Sequence, residues 1–366
     1  MRRRAGQAAG MSCNAMELLK RPLEDYLIHR LGPSTVLEKA TKFPRGTSRL
    51  TWFIDYREAS GAPIRSIVFR GDFAGGATIS TSLEQEYFLY EKLSRTDVPV
   101  AKTLWWEANP DWVDRPFYVR EHIEGSWDIP HINDSDPRYD ALRIAISKEH
   151  LSKLAIVHNV DWRAAGFDER LSVPPDKAGC AAHFIDVQLR QLASFSEEPV
   201  PLLVEAVATL KAKAPIAPRI SLCKGTNGLG EEVFKDGIIV AMSDWEEASI
   251  GDPAADFASL QNLIPEIERN GEKLWGLEQA VEFYRGVSFI DLSVESVRYY
   301  QVLRALSTLI FGQKAATVTH HGMADIRKAW TGTEVYHFAK RALAAAIGLA
   351  PPPPPGWLHE LNETVK

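Results

Sequence analysis

The run Ser221-Leu222-Cys223-Lys224-Gly225-Thr226-Asn227-Gly228-Leu229-Gly230-Glu231-Glu232-Val233-Phe234 leads through Lys235-Asp236-Gly237 into Ile238-Ile239-Val240-Ala241-Met242-Ser243-Asp244-Trp245-Glu246, and this stretch decides the fold. An apolar lead-in feeds a glycine-rich loop. Two short strands rich in β-branched residues then flank Asp-Gly, a strong hairpin signal. Acidic side chains remain at the loop and at the end of the second strand. Gly251-Asp252-Pro253 and Asp256 close the region.

Upstream, the spacing of Leu18, Leu19, Leu23, Tyr26, Leu27 and Leu31 predicts a helix over 16–31, stopped by Gly32-Pro33. A turn at 43–48 feeds a strand to Tyr56, 60–63 turns the chain, and 66–70 is a second strand. Residues 82–93 read as a helix capped by Thr81 or Ser82, and 103–107 and 116–122 as two more strands. Beyond Gly125 helices dominate, at 140–158, 183–194, 201–213, 256–264, 273–285, 294–312 and 335–347, with the quoted hairpin as the one strong strand pair. The expected class is therefore α+β. It divides into an N-terminal extension and helix (1–35), a small β-rich lobe (36–124), a mainly helical lobe holding the hairpin (125–350) and a proline-rich tail (351–366). Pro351–Pro355 reads as a polyproline II spacer.

Composition narrows the partners. A chain of 366 residues, 45% apolar and 25% charged, can bury two cores. Its net charge of −6 leaves no basic footprint for nucleic acid. Cys13, Cys180 and Cys223 have neither disulfide-framework nor zinc spacing, which suits a reducing cytoplasm. No apolar run approaches the roughly 20 residues that a membrane span needs. Met1-Arg2-Arg3-Arg4 is basic but leads into small and polar residues rather than an apolar signal core, so Met11 and Met16 are alternative starts.

Read singly, several residues have two uses. Asp244, at the end of an apolar strand, can hold Mg²⁺ or cap the following turn. Lys224 can meet phosphate charge or sit on the surface, and Gly46-Thr47-Ser48 can cover phosphates or simply turn a hairpin. Trp105, Trp106, Trp112 and Trp127 can line an aromatic pocket or pack an interface. His158 reads as structural, and His320-His321 as a solvated loop.

Taken together, the layout resembles the catalytic and metal-binding loops of the aminoglycoside phosphotransferase family, which includes choline kinase-like enzymes and has a protein-kinase-like two-lobe fold. The resemblance covers roughly residues 36–345. In that family the catalytic loop reads His-Gly-Asp, four residues, then Asn; here the matching positions are Lys224, Gly225, Thr226 and Glu231. The resemblance implies ATP (or GTP), Mg²⁺ and a small hydroxylated acceptor, with no nucleic acid or membrane partner. It assigns the metal to Asp244 and, where the family has Asn, to Glu231, and puts Thr226 at the general-base position; Lys224, which can meet phosphate charge, and Asn227, which can orient a hydroxyl, join Asp244 and Thr226 as catalytic candidates. Arg70 takes the place of the phosphate-binding lysine, with Glu86 as its ion-pair partner. Gly46, Thr47 and Ser48, with Arg49, form the phosphate-covering turn, and the backbone from Glu121 to Ile123 meets the base.

Threonine at the general-base position changes the expected chemistry. Base catalysis typically contributes ~10²–10⁴-fold, whereas phosphoryl transfer depends mainly on positioning and charge neutralisation. An already acidic acceptor, such as a phenol of pKa about 10, is therefore expected. A binding protein without turnover, and nucleotidyl transfer on the same scaffold, are the alternatives.

Overall fold

The computed structural model describes residues 11–43, 49–72, 81–196, 199–228, 230–260, 263–320 and 326–349, the side chains of 11–20 and 327 apart. The expected turn at Gly46, Thr47 and Ser48 and the proline tail lie outside the described residues.

The chain begins α1 (Met11–Leu31), β1 (Val36–Lys42), β2 (Arg49–Arg57), β3 (Arg65–Asp72), α2 (Leu83–Leu93), β4 (Thr103–Glu107), β5 (Phe117–Glu121), α3 (Asp140–His158). It continues with α4 (Cys180–Ala193), α5 (Pro201–Ala212), β6 (Ser221–Cys223), β7 (Glu232–Lys235), β8 (Ile238–Met242), β9 (Ser249–Gly251) and α6 (Ala254–Ala258). Last come β10 (Ile267–Arg269), β11 (Glu272–Trp275), α7 (Leu277–Ser288), α8 (Val294–His320), α9 (Ile326–Trp330) and α10 (Tyr336–Ala346).

One compact unit comprises Met1–Ser172, Ser221–Ile250 and Leu260–Ile290. Its antiparallel sheet has the order β1-β2-β3-β5-β4. Strict alternation gives the sheet two different faces, because successive side chains of a strand point to opposite sides. Leu50, Trp52, Ile54 and Tyr56 of β2, Ile67 and Phe69 of β3, and Phe117 and Val119 of β5 form a buried cluster with Leu23, Tyr26 and Leu27 of α1. Tyr26 meets Phe117 edge-on at 4.8 Å. Each such side chain contributes about 1.5–3 kcal/mol when fully buried, so α1 is a structural cover for that face.

The intervening residues form the other face, and register aligns them into rows. Thr51 lies opposite Arg70 and Arg70 opposite Tyr118; one pair further along, Phe53 lies opposite Val68 and Val68 opposite Arg120. Helix α2 is capped by Ser82, whose side chain accepts the Gln85 amide.

The β7–β8 hairpin forms as read, turning through Asp236 and Gly237 at φ of 53° and 79°. Its β7 strand bridges to Ser126 through Phe234. Gly125 makes that approach possible, since a Cβ there would lie 2.6 Å from the Phe234 carbonyl oxygen. In the same unit the His158 ring Nδ1 and the Tyr284 hydroxyl lie 2.6 Å apart, consistent with a structural histidine.

The second unit comprises Val173–Ile220, Gly251–Ser259 and Asp291–Lys366. Its axis is α8, which buries Leu303, Leu306, Leu309 and Ile310. Gly312 packs against Tyr336, and Gly332, in a π-helical turn, against Ala315 and Ala316.

Several boundaries differ from the sequence reading. Strand β1 was not anticipated; its exposed Lys and Glu side chains dilute the apolar pattern. The helix expected over 256–264 is only Ala254–Ala258. The helix expected from 273 starts at Leu277, because β10 and β11 form a second hairpin through Asn270 and Gly271, both at positive φ. Asn-Gly is itself a hairpin signal, masked here by flanking charge. Helix α8 runs on to His320. Among the described residues no helix is long and apolar enough to cross a membrane.

Candidate active site

The open sheet face and the β7–β8 hairpin enclose a cavity of about 390 Å³ within the first unit. The two walls carry opposite charge.

On the sheet wall, Glu86 of α2 is almost wholly buried, at 1% exposure, and three side chains converge on it through four hydrogen bonds. Arg70 donates from Nε and Nη2 to Oε1 at 3.0 and 2.5 Å. Arg49 donates from Nε to Oε2 at 2.8 Å, and the Tyr118 hydroxyl to Oε1 at 2.7 Å. Burial alone would raise the Glu86 pKa, but Arg70 and Arg49, aided by the Tyr118 hydroxyl, bring it down to about 2. The arginines are anchored further: Arg70 Nη1 donates to Thr51 Oγ1, and Arg49 donates to Asp72 and to the Thr81 carbonyl.

On the hairpin wall stand Glu231, Asp244 and Glu246. Asp244 sits at φ of 61°, a conformation uncommon for residues other than glycine. It directs the chain into the loop that Trp245 pins by donating from Nε1 to the Met242 carbonyl. Burial, then the charge of Asp244 and a hydrogen bond with it, pushes Glu231 up to about 8. Burial, then Asp244 and Glu86, likewise pushes Glu246 up to about 8 against the pull of Arg70 and Arg49. Glu246 Oε2 is buried without a hydrogen-bond partner. Crowded, under-neutralised carboxylate oxygens of this kind are what a hard divalent cation requires, so the residues present fit Mg²⁺.

The glycine-rich loop lies behind this wall. Gly225, at φ of 86°, passes so close to the Glu247 carbonyl that a Cβ has no room. Lys224 is fully buried; its Nζ lies 3.1 Å from Glu232 Oε1 and also donates to the Thr226 carbonyl. Burial opposes its charge, but Glu232, then Asp244 and Glu231, outweigh that and raise its pKa. Asn227 Oδ1 lies 3.3 Å from His150 Nε2. The Thr226 hydroxyl donates to Glu247 Oε2 at 3.2 Å.

Of the residues singled out from sequence, Arg70, Glu231 and Asp244 thus line one cavity, with Glu86 buried behind Arg70. Glu121 and Ile123 line it as well. Lys224 and Asn227 are buried within the loop instead of facing outward. Arg120, Glu246 and Glu247 were not assigned roles, and Arg49 was read only as part of the phosphate-covering turn, not as a partner of Glu86. Arg49 was discoverable from its alternation with Thr51, and Glu246 from its position two residues after Asp244. The crowd of tryptophans separates: Trp112 packs on Tyr26 and Trp106 on Tyr87, whereas Trp127 lines the cavity.

The sequence profile of the phosphotransferase enzyme family matches residues 39–283, about two thirds of the chain. The chain belongs to that family. Among solved structures, a candidate aminoglycoside phosphotransferase from Ralstonia eutropha JMP134 matches at a TM-score of 0.64 and 20% identity, covering 89% of this chain and 97% of that one. A thermostable mutant of aminoglycoside phosphotransferase APH(4)-Ia, in complex with ADP and hygromycin B, matches at 0.55 and 14% identity, covering 89% and 97%. The macrolide 2'-phosphotransferase MphH from Brachybacterium faecium matches at 0.54 and 18%, covering 88% and 97%. The phosphotransferase-family chain therefore has the kinase-like α+β fold. Among curated proteins, mouse acyl-CoA dehydrogenase family member 10 is 25% identical over 250 residues, 64% of this chain and 21% of its own length. Mouse acyl-CoA dehydrogenase family member 11 is 25% identical over 255 residues, 66% of this chain and 30% of its own. The chain spans about a fifth to a third of those relatives.

Proposed function

We propose that this chain transfers the terminal phosphoryl group of a purine nucleoside triphosphate to a hydroxyl, phenolic in the preferred case, of a small molecule. The observation that supports this most is the pairing of a cationic sheet wall, Arg49 and Arg70, with an acidic hairpin wall, Glu231, Asp244 and Glu246, around one cavity. A polyphosphate needs the first, and its divalent counter-ion needs the second. The solved relative bound to ADP and hygromycin B points the same way.

Asp244 and Glu231 would hold Mg²⁺, with Glu246 beside them; when bound it neutralises phosphate charge that builds during transfer. Arg70 binds phosphate oxygens with the donors that Glu86 and Thr51 leave available, and Glu86 keeps its guanidinium in place. Lys224 positions the loop: its ammonium ties Glu232 on β7 to the Thr226 carbonyl. The acceptor hydroxyl approaches Thr226, whose Oγ accepts its hydrogen while donating its own to Glu247. A threonine–carboxylate pair is a weak base, and an acceptor with pKa about 10 needs less help than an alkyl alcohol.

Incubation with Mg²⁺, nucleoside triphosphate and matched panels of phenols and aliphatic alcohols, with mass analysis of products, tests this. Phosphorylated phenols are expected. Nucleotidylated products would replace the reaction class, and alkyl alcohols reacting faster than phenols would reject the acceptor assignment. Tight nucleotide binding without any product would favour a ligand-binding protein, a reading that the burial of Lys224 supports.

A further inference from the structure

Arg120 stands in the row of side chains next to Arg70 and Tyr118, level with Phe53 and Val68, about 7 Å along the strands at ~3.3 Å per residue. This part of the cavity is apolar and aromatic. Phe53 meets His122 at 5.5 Å and Phe43 at 5.9 Å, and Phe43 meets Trp127 at 5.4 Å, all edge to face. Ala101, Ile123 and Ala241 line the same cavity. With phosphates drawn to the arginine and carboxylate end, this slot remains for the flat, weakly polar base.

Within it Arg120 carries unused hydrogen-bonding capacity. Its guanidinium lies over the Tyr90 ring at 4.7 Å. Its Nε and Nη1 are buried and have no hydrogen-bond partner, and among the described residues no carboxylate lies within ion-pair distance of it. Guanidinium can donate but cannot accept. A ligand edge made of acceptors would satisfy it, and an edge carrying a donor would oppose it.

Purines differ at that edge. Guanine presents acceptors at both O6 and N7, whereas adenine presents an acceptor at N7 and a donor at N6. Given the reading of this cavity as a nucleotide site, we propose that Arg120 reads the O6–N7 edge of the base and makes the chain select GTP over ATP. A bidentate contact of that kind discriminates by roughly 5-fold to 150-fold.

Calorimetric titration of the full chain with GTP, ATP and ITP in the presence of Mg²⁺ tests the proposal. ITP keeps O6 and N7 but lacks the guanine 2-amino group. GTP and ITP are expected to bind alike and at least 5-fold more tightly than ATP. Arg120→Met should abolish the difference. Arg120→Gln, whose amide can pair with adenine N6 and N7, should shift it toward ATP. The proposal is overturned if the unmodified chain binds ATP as tightly as GTP, or if ITP follows ATP. It is equally overturned if either variant, melting near the parent temperature, keeps the GTP preference. If the variants fail to fold, the three-nucleotide comparison on the parent chain decides alone. If no nucleotide binds, the nucleotide-site reading fails and this inference fails with it.

Discussion

Thr226 Oγ1 and Glu247 Oε2 lie 3.2 Å apart, so the loop position that has no carboxylate of its own is in contact with one from the loop that follows β8. The contact depends on Gly225, whose missing side chain lets the two loops touch.

If that pair handles the acceptor proton, Glu247→Gln should lower kcat by about 10²-fold or more while KM for nucleotide changes little. Thr226→Asp places a second carboxylate against Glu247 and is expected to lose activity; a large gain in rate would show the threonine to be a defect in an older base position.

Glu86 ties together two arginines, a tyrosine and a helix. Glu86→Gln is expected to destabilise the fold by about 3–5 kcal/mol, since it leaves buried guanidinium charge uncompensated; a denaturant midpoint measures it. The sign with pH follows from its lowered pKa of about 2. Its contribution is complete above about pH 4.5 and disappears as pH falls from there through 2. Acid unfolding of the parent should therefore be steeper over that range than that of the variant.

Glu231 and Glu246 behave oppositely. Both are raised to about 8, so the ion-free folded chain holds protons that an unfolded chain releases near pH 4.5. Stability of the ion-free chain should then fall as pH rises from about 4.5 to 8. Mg²⁺ binding displaces those protons, so the rise in Tm on adding Mg²⁺ should be larger at pH 8 than at pH 6, and EDTA should reverse it. Asp244→Asn should remove the response; a variant that binds Mg²⁺ with parent affinity would place the metal elsewhere.

Lys224 and Glu232 form a pair exposed to solvent by at most 1%. Lys224→Met alone should cost about 3–5 kcal/mol, whereas Lys224→Met with Glu232→Leu should recover most of it, because the isolated charge is what destabilises. A double-mutant cycle without coupling would show the pair to be incidental.

Arg120 and Glu247 show what escaped a reading of the sequence, as does the role of Arg49 beyond the phosphate-covering turn. Each is an ordinary charged residue in its local context, and each acquires meaning from residues far along the chain: Arg49 from Glu86, Arg120 from Tyr90, Glu247 from Thr226. The Asn270-Gly271 hairpin was legible but was outweighed by the charged residues beside it. Gly46, Thr47 and Ser48 lie outside the described residues.

Local chemistry was enough to mark β2 to β5 of the sheet and the hairpin at Asp236-Gly237, while the partnership of Arg70 with Glu86 and the layout around Asp244 came from resemblance to the family. Alternation, turn preference and loop spacing are short-range properties that survive in a linear string. Which carboxylates crowd together, which further cations join Glu86 and which donors are buried without a partner were decided only by tertiary structure. Those properties depend on burial and on contacts between distant segments, and burial sets the strength of every charge in the site.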